Sequence, residues 1–326
     1  MPDFGSGPRP PETPRVGEGA WGTDFTFRGG RVQVRKTGAD LKLDWVLIGE
    51  CLLWFAYHLM VLSAALWRRL TFKPPGPRIW FEPDTPRPWY LVRAAMTWGG
   101  MRLAKSAEAA DARFYFDDST WAGPEPSAGL LNGGCRDVSK SHVAAVFEDV
   151  FGYPLALDPE TWTGPAVEKG ELNGAHDGRV VQCPTPRRPG RCYQRLVDTA
   201  EGDFIHDLRT PTVGGVPVVV WEKKKPGDNR FSIHNLSVRR HDPKDVYSSE
   251  ELAQIARFCA AMGLDWGGLD ILRDRPSGRI YIVDVNKTDV GPVIALSWAD
   301  KLVSTGMLAR ALERLVAGCV AAPRAF

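Results

Sequence analysis

The stretch GRIYIVDVN, residues 278–286, decides the fold because it reads as a β-strand that ends in polar side chains. Isoleucine, valine and tyrosine are typical of strands, and Asp284 and Asn286 follow them at the end of the run. Side chains two residues apart lie on the same face of a strand, so these two polar groups share one side. The strand therefore presents an oxygen-rich edge where a core residue would be expected.

The residues before this strand predict its partner. A second apolar run, LDILRD at 269–274, precedes a three-residue loop in which Gly278 takes the left-handed conformation, which together predict an antiparallel hairpin. If Arg275 pairs with Arg279, the ladder places Asp270 opposite the acid at position 284.

Two carboxylates and an amide oxygen then converge at Asp270, Asp284 and Asn286. Like charges directly opposite each other destabilise a sheet unless a positive charge lies between them. Oxygen ligands of this kind suit Mg²⁺, so the hairpin predicts a magnesium site. A solvated acidic rim is the alternative interpretation of the same residues.

Composition places the chain among ordinary globular proteins. At 326 residues, with 44% hydrophobic and 25% charged residues, it is long enough for two or three packed subdomains. A net charge of +2, without basic residues alternating with aromatic ones, gives no reason to expect nucleic acid as a partner. The six cysteines form no CxxC pair and no metal-binding spacing, which predicts free thiols in a reducing, cytoplasmic compartment.

The first 75 residues contain two unlike segments. Residues 1–40 are rich in Pro, Gly and Arg, which predicts a disordered tail. Residues 41–75 contain the apolar run Trp45–Trp67, which is long enough to cross a bilayer and has tryptophan at both ends. Glu50 and His58 lie on one stripe of this helix, as in a buried or interfacial helix with one wetter edge. A membrane-associated helix and a core helix both remain open.

The rest of the chain divides into a leading subdomain and two further parts. They are the leading subdomain at 76–135, a part with a glycine-rich loop between two strands at 136–192, and a C-terminal part with the hairpin at 193–326. Helices are predicted near residues 89–104, 248–262 and 299–316. A further helix is predicted to begin after an N-cap at Asp137 or Ser139. This mixture predicts α+β layers rather than a doubly wound parallel sheet.

A glycine-rich loop is the candidate phosphate-binding element, because the common GxxxxGK[ST] and GxGxxG cradles are absent. Gly170, Gly174 and Gly178 lie between two predicted strands, directly after Lys169. Glycines allow backbone N–H groups to approach an anion, and the lysine adds a charge. Lys140, just inside the preceding helix, is a second candidate. A flexible surface hairpin and a solvated lysine are the alternatives.

In this order, the features resemble the ATP-grasp superfamily, and within it the carboxylate-amine ligases that add amino acids to peptide or protein carboxylates. The resemblance covers about residues 137–293, and its characteristic parts are the Asp-x-Arg strand at 207–209, the basic cluster at 223–225 and the acidic hairpin. It implies an α+β ATP-grasp fold, in which two α+β subdomains grip ATP, with a small leading α/β subdomain and an N-terminal apolar helix. The sequence departs from the family at Asp284, where glutamate is more usual.

The resemblance also implies a role for each candidate site residue. Lys140 and Lys169 would contact the ATP phosphates, and a lid over them would be formed by Gly170, Asn173, Gly174 and Gly178. The segment that faces adenine would contain Gln194, Leu196 and Val197. The ribose would be held by Asp203, with Asp198 and Glu201 as alternatives. For the metal the resemblance implies Asp270, Asp284 and Asn286. The residues that would face the γ-phosphate and the acceptor carboxylate are Arg209, Lys223, Lys225, Arg230 and Asn235. Lys224 is the alternative to the pair Lys223 and Lys225. His176, His206 and His234 are weaker candidates.

The implied function is an ATP- and Mg²⁺-dependent ligase, with Mn²⁺ as an alternative metal, that forms an amide or peptide bond through an acyl phosphate. Its substrates would be an amine and a small-molecule or peptide carboxylate. Such chemistry needs no side-chain nucleophile, and no Ser-His-Asp or Cys-His arrangement stands out in the sequence. One alternative is a kinase of the same fold that phosphorylates a hydroxyl group. Another is a catalytically inactive nucleotide-binding protein held at a membrane by residues 45–67. The identities of the substrates and the oligomeric state do not follow from the sequence.

Overall fold

The computed structural model describes residues 24–34, 40–71, 75–123, 129–175, 177–227, 230–231 and 235–321. Within these residues the helices are α1 (Trp45–Leu70), α2 (Leu91–Gly99), α3 (Lys140–Phe151), α4 (Pro243–Val246), α5 (Ser249–Ala261) and α6 (Trp298–Ala321). The strands before the C-terminal part are β1 (Phe25–Arg28), β2 (Arg31–Val34), β3 (Asp40–Lys42), β4 (Arg78–Pro83), β5 (Arg102–Leu103), β6 (Ala112–Phe116), β7 (Gly164–Gly170), β8 (Arg179–Cys183) and β9 (Arg191–Arg195). The remaining strands are β10 (Ala200–Glu201), β11 (Phe204–Val213), β12 (Val216–Pro217), β13 (Val220–Pro226), β14 (Ser237–His241), β15 (Trp266–Arg273) and β16 (Ile280–Asn286).

The described strands form four sheets. The largest is antiparallel with the order β14-β13-β11-β15-β16, and β10 and β12 also pair with β11. A three-stranded antiparallel sheet, β8-β7-β9, forms the lobe that carries the glycine-rich loop. The leading subdomain has the parallel sheet β5-β4-β6, and β1-β2-β3 forms a small N-terminal sheet. The predicted α+β class and the α/β character of the leading subdomain are confirmed.

Two apolar cores hold these layers together. In one, α3 and α5 pack against β15 and β16, with Phe147, Phe258, Ile271 and Ile282 fully buried. In the other, α2 and α6 pack with the leading sheet and the opposite end of the largest sheet. Because α3 belongs to the glycine-loop lobe and β16 to the C-terminal lobe, the first core joins the two lobes. The predicted boundary between residues 192 and 193 falls inside β9, which belongs to the glycine-loop lobe up to Arg195.

Two predicted helices change at their ends for local reasons. The helix predicted near 89–104 is α2, which ends at Gly100 in the left-handed conformation (φ 72°), so that the following residues form β5 instead. The cap of α3 is Ser139, whose Oγ accepts a hydrogen bond from the backbone N–H of His142 at 3.4 Å. All six cysteines lie in the described part of the chain, and their thiols are free, as predicted.

The predicted disordered tail contains regular structure at its end. Residues 1–23 and 35–39 lie outside the described residues, but β1 and β2 form a hairpin within 25–34. This hairpin is attached to the leading subdomain by a buried ion pair, in which the Arg87 Nε lies 2.8 Å from the Asp24 carboxylate. The Phe25 and Trp89 rings also pack, with centroids 5.5 Å apart. The tail prediction is therefore wrong for residues 25–34, because tertiary contacts order a segment with weak sequence periodicity.

Helix α1 lies on the outside of the molecule. Among the described residues it is the one helix that is long and apolar enough to cross a membrane, and only 11% of its most apolar 18-residue window is buried. Tyr57 and Val61 are its buried residues, and they contact α2 and α6. The core-helix alternative is therefore wrong, and most of this apolar surface is left uncovered.

Candidate active site

The acidic hairpin forms as predicted, although by a different register at its turn. Gly278 has a positive φ of 70°, and Asp270 pairs directly with Asp284. Near the turn, however, Arg273 pairs with Ile280, rather than Arg275 with Arg279. The ladder shifts by one residue between positions 270 and 271 of β15, so that Val283 on β16 has no partner. This β-bulge restores the predicted pairing of the two acids.

Cationic side chains from three elements surround the two acids. Arg209 on β11 and Lys223 on β13 contact the Asp270 carboxylate, at 2.7 and 2.9 Å. Lys140, at the start of α3, lies 2.5 Å from the Asp284 carboxylate. The structure thus brings together candidates separated by up to 144 residues in the chain. Their charges compensate the like-charge repulsion that the sequence predicts for this hairpin.

The protonation states at this site follow from its charges. Burial raises the pKa of Asp270, but Arg209 and Lys223 more than offset this effect and hold its pKa far below the usual value. Burial lowers the pKa of Lys169, an effect opposed by the Asp284 carboxylate and reinforced by Lys140. The Lys169 Nζ donates a hydrogen bond to the Val283 carbonyl at 2.9 Å, which places this lysine beside the bulge. The site therefore contains the ionised Asp270 carboxylate among closely spaced basic side chains.

Strand alternation resolves which lysines of the 223–225 cluster face the acids. Lys223 contacts Asp270, and Lys225 on the same face contacts the Asp207 carboxylate at 2.8 Å. Lys224 lies on the other face, where its Nζ is 3.8 Å from the centroid of the Phe204 ring. The pair at 223 and 225 is therefore on the candidate-site face, and the alternative at 224 is wrong.

The glycine-rich loop closes against the leading subdomain. The Asn173 N–H donates to the Thr120 hydroxyl at 2.8 Å, and the Lys140 Nζ donates to the Asn173 side-chain oxygen at 3.4 Å. Gly174 has a positive φ of 73°, and a Cβ at Gly178 would lie 2.8 Å from the Phe231 ring. Larger residues at these two positions would be strained or would clash. The candidate His176 lies outside the described residues.

The predicted adenine-facing segment joins the two lobes. The Gln194 side-chain amide donates to the Lys140 carbonyl at 3.4 Å, which ties this segment to the start of α3. Leu196 lines a cavity of about 350 Å³ together with Trp162 and Tyr281. The Val197 carbonyl accepts a hydrogen bond from an Arg230 Nη at 3.0 Å. The structure therefore places Arg230 at this segment rather than on the acids of the hairpin.

The surroundings of the other candidates differ from those of the acid cluster. Asp203 is exposed, as are its alternatives Asp198 and Glu201, so the ribose ligand stays a prediction. Asn235 has a buried side-chain oxygen without a hydrogen-bond partner among the described residues. His206 lies on the face of β11 opposite to that of Arg209, and its Nδ1 is 2.9 Å from the Glu222 carboxylate. His234 lies outside the described residues.

A buried acid after the hairpin, Asp289, was missed as a site residue. Asp289 contacts Arg209 at 2.5 Å, and its second carboxylate oxygen has no hydrogen-bond partner among the described residues. Burial raises the pKa of Asp289, an effect that Arg209 opposes. Lys287, which the sequence suggests could fold over the site or contact substrate, is 3% exposed, and burial lowers its pKa. The signal for Asp289 was the charged run KTD after Asn286, which the sequence pattern alone did not connect to Arg209.

The donor set at the hairpin is suited to a hard divalent cation. Among the described residues, no group of three or more His, Cys, Asp or Glu side chains is arranged to hold a metal ion. The hairpin instead offers two paired carboxylates and Asn286, whose side-chain nitrogen lies 3.5 Å from the Asp270 carboxylate. Mg²⁺ usually takes one or two protein carboxylates and completes its shell with water and phosphate oxygens. Asp270, Asp284 and Asn286 fit that requirement.

Comparisons with known proteins identify similar solved structures. No protein-family model matches the chain, and the comparison with curated proteins gives no match. One similar structure is the ATP-grasp ligase PsnB complexed with a minimal precursor, with 13% identity and a TM-score of 0.49 over 74% of this chain and 99% of that one. A second is the D-alanine–D-alanine ligase of Bacillus anthracis complexed with ATP, with 11% identity and a TM-score of 0.44 over 75% of this chain and 98% of that one. A third is an L-amino acid ligase of Bacillus licheniformis, with 10% identity and a TM-score of 0.43 over 75% of each chain. All three are ligases.

Proposed function

We propose that this protein is an ATP-dependent ligase of the ATP-grasp type that joins a carboxylate to an amine. The observation that carries the proposal is the meeting of Arg209, Lys223 and Lys140 on the acid pair Asp270 and Asp284. This cluster lies where the C-terminal sheet, α3 and the glycine-rich loop come together. Such a concentration of buried positive charge suits a polyphosphate and a second anion.

The first half-reaction would bring two anions together. An oxygen of the acceptor carboxylate forms a bond to the γ-phosphorus, the bond from that phosphorus to the β–γ bridging oxygen breaks, and ADP leaves. Repulsion between the carboxylate and the phosphate opposes this step, and fixed cations reduce the repulsion. Arg209 and Lys223 would fill that role, and their contacts with Asp270 in the resting site support this assignment.

In the second half-reaction, the amine nitrogen attacks the acyl carbon of the acyl phosphate. The bond from carbon to the phosphate oxygen breaks, phosphate leaves, and the nitrogen loses its extra proton to phosphate or solvent. An acyl phosphate is destroyed by water, so the reaction needs a cover. The glycine-rich loop, which already contacts Thr120 through Asn173, is positioned to provide that cover.

Asp270, Asp284 and Asn286 would hold Mg²⁺, with Mn²⁺ as an alternative. When bound, the ion supplies charge neutralisation and orientation of the phosphate oxygens. Lys140 would then exchange its contact with Asp284 for a phosphate contact. Lys169, now bonded to the Val283 carbonyl, is the second lysine available to the phosphates. The acceptor is the carboxylate of a small molecule or a peptide.

The test is ATP consumption by the purified full chain with pools of carboxylates and amines. We expect ADP and phosphate to appear only when both pools are present, and Asp284→Ala to lower the rate by about a thousandfold or more. Asp40→Ala is the matched control, because Asp40 is also ion-paired but lies on the N-terminal sheet, with half of its side chain exposed.

Three results would contradict the proposal. A phosphorylated product without free phosphate would identify a kinase that uses a hydroxyl acceptor. Nucleotide binding without turnover for any pair of pools would identify a binding protein. An equal loss of rate in Asp284→Ala and Asp40→Ala would show that the hairpin is not the site.

A further inference from the structure

Helix α1 leaves an apolar surface uncovered along its whole length. Its 26 residues correspond to about 39 Å. Its exposed large side chains are Trp45, Val46, Ile48, Leu52, Leu53, Phe55, Leu59, Met60, Leu62, Leu66, Trp67 and Leu70. Trp45 and Trp67, near its two ends, are 85% and 70% exposed, so the exposed apolar side chains extend from one end of the helix to the other, which is uncommon in soluble monomers.

The inner side of α1 is fastened to the body of the protein. The Tyr57 hydroxyl is hydrogen-bonded to the Thr305 hydroxyl at 2.8 Å, and Val61 packs against α2 and α6. Trp54 packs edge-on against Trp89, with ring centroids 6.5 Å apart. These contacts hold the middle of α1 lengthwise against the molecule. A helix crossing a bilayer would have to leave them or carry the charged body into the lipid, so α1 is built to lie flat.

A basic cavity opens at the inner edge of α1. It has a volume of about 510 Å³, and its polar lining includes Arg69 from α1 and Arg93 and Arg102 from the leading subdomain. Leu62 and Leu66 form part of its apolar wall. Among the described residues, no carboxylate lines this cavity. An anionic head group beside an apolar surface has the matching chemistry.

We propose that α1 lies in the plane of an anionic membrane surface, with its exposed side chains in the acyl region and the basic cavity on a lipid phosphate. Arginine at the C-terminal end and tryptophan, whose ring prefers the membrane interface, suit a helix in contact with a membrane, and the contacts of Tyr57 and Val61 with the body favour the flat orientation. Pairing with a second copy explains the surface less well. A coiled-coil seam through Leu52 and Leu59 would also use Phe55 and Leu62, and it would leave Val46, Leu53, Met60 and Trp67 exposed beside it. This inference does not depend on ATP turnover.

The test is sedimentation of the purified full chain with vesicles of phosphatidylcholine alone, or of phosphatidylcholine mixed with phosphatidylglycerol. We expect about tenfold tighter binding to the anionic vesicles, and weaker binding at high salt. Leu52→Glu with Leu59→Glu should lower binding by about tenfold or more, because both charges would enter the acyl region. Val216→Glu with Leu236→Glu is the matched control, since those residues are 60% and 58% exposed on other elements.

A second pair of variants separates the cavity from the apolar face. Arg69→Gln with Arg102→Gln should remove the preference for anionic vesicles and leave binding to neutral ones unchanged. Folding of each variant is checked by circular dichroism. The exposed Cys51 on α1 gives an independent readout, because the other exposed thiol, Cys319, can be removed as Cys319→Ser. An environment-sensitive dye on Cys51 should shift to the blue when vesicles are added.

Three outcomes would overturn the proposal. The first is no sedimentation with either kind of vesicle. The second is resistance to alkaline carbonate extraction from membranes, which would show that α1 spans the bilayer. The third is a dimer in analytical ultracentrifugation whose Cys51 dye is already blue-shifted without vesicles, which would assign the face to a second copy.

Discussion

Replacing Asp284 by asparagine tests the charge balance of the site without changing its shape. In the resting protein, Lys140 lies 2.5 Å from Asp284, and the two side chains are 7% and 22% exposed. Asparagine can still accept a hydrogen bond from this lysine, so the substitution removes the negative charge and leaves the packing.

The expected loss of stability follows from the burial of this pair. Removing one partner of a fully buried ion pair costs about 3–5 kcal/mol, because the other charge is left uncompensated. Water reaches part of Asp284, which screens the pair, so we expect a loss of about 2–3 kcal/mol. The Arg31–Asp40 pair, in which both side chains are 50% exposed, provides the comparison, and Asp40→Asn should cost less than about 1 kcal/mol.

The assay is urea unfolding of the wild type, Asp284→Asn and Asp40→Asn, without nucleotide and then with Mg²⁺ and ATP. Bound nucleotide should stabilise the wild type and Asp40→Asn but hardly affect Asp284→Asn, because a ligand stabilises only the state that binds it. If Asp284→Asn is as stable as Asp40→Asn and gains equally from nucleotide, the reasoning about this pair is refuted.

Two further predictions concern the acid at the centre of the site and a buried asparagine. The pKa of Asp270 is lowered in the folded protein, so its contribution to stability is present above the unfolded pKa of about 3.9 and is lost as the pH falls below it. The loss of urea stability between pH 5 and pH 3 should therefore be smaller in Asp270→Asn than in the wild type, and an unchanged pH dependence would contradict this. Asn132, with φ of 59°, makes three side-chain hydrogen bonds with the backbone of residues 265 and 266, so Asn132→Ala should cost about 3–5 kcal/mol in urea unfolding. Asn132→Gly should lose about 1 kcal/mol less, because glycine tolerates this backbone angle, and equal losses in both variants would exclude the backbone contribution.

The sequence was sufficient to predict which side chains share a face of a strand, because the two-residue period of the strand determines this. The two-residue alternation of strands predicted that Asp270, Asp284 and Asn286 share a face, and it predicted that Lys223 and Lys225 act together. These relations are local, because they depend on neighbours within one strand or one hairpin.

Contacts between distant segments could not be read from spacing. Nothing in the pattern around Arg230 indicates that its guanidinium group contacts the Val197 carbonyl. The buried acid Asp289 acquires its role only through Arg209, which lies on another strand. The hairpin at residues 25–34 is held by the ion pair of Asp24 and Arg87, which lie 63 residues apart in the chain.

The unpaired residue Val283 lies between two parts of β16 that pair with β15 in different registers. If the spacing at the turn continued unbroken, Asp270 would lie opposite Val283, and the acid at 284 would point away from it. Because Val283 is an additional residue in β16, the turn keeps the register in which Arg273 pairs with Ile280. Beyond Val283 the register shifts by one residue, so that Asp270 pairs with Asp284. The carbonyl group released from the ladder at Val283 is the same one that receives Lys169. Deleting this valine would leave Asp270 opposite Asp284 in a regular ladder, but it would remove the carbonyl group that Lys169 contacts.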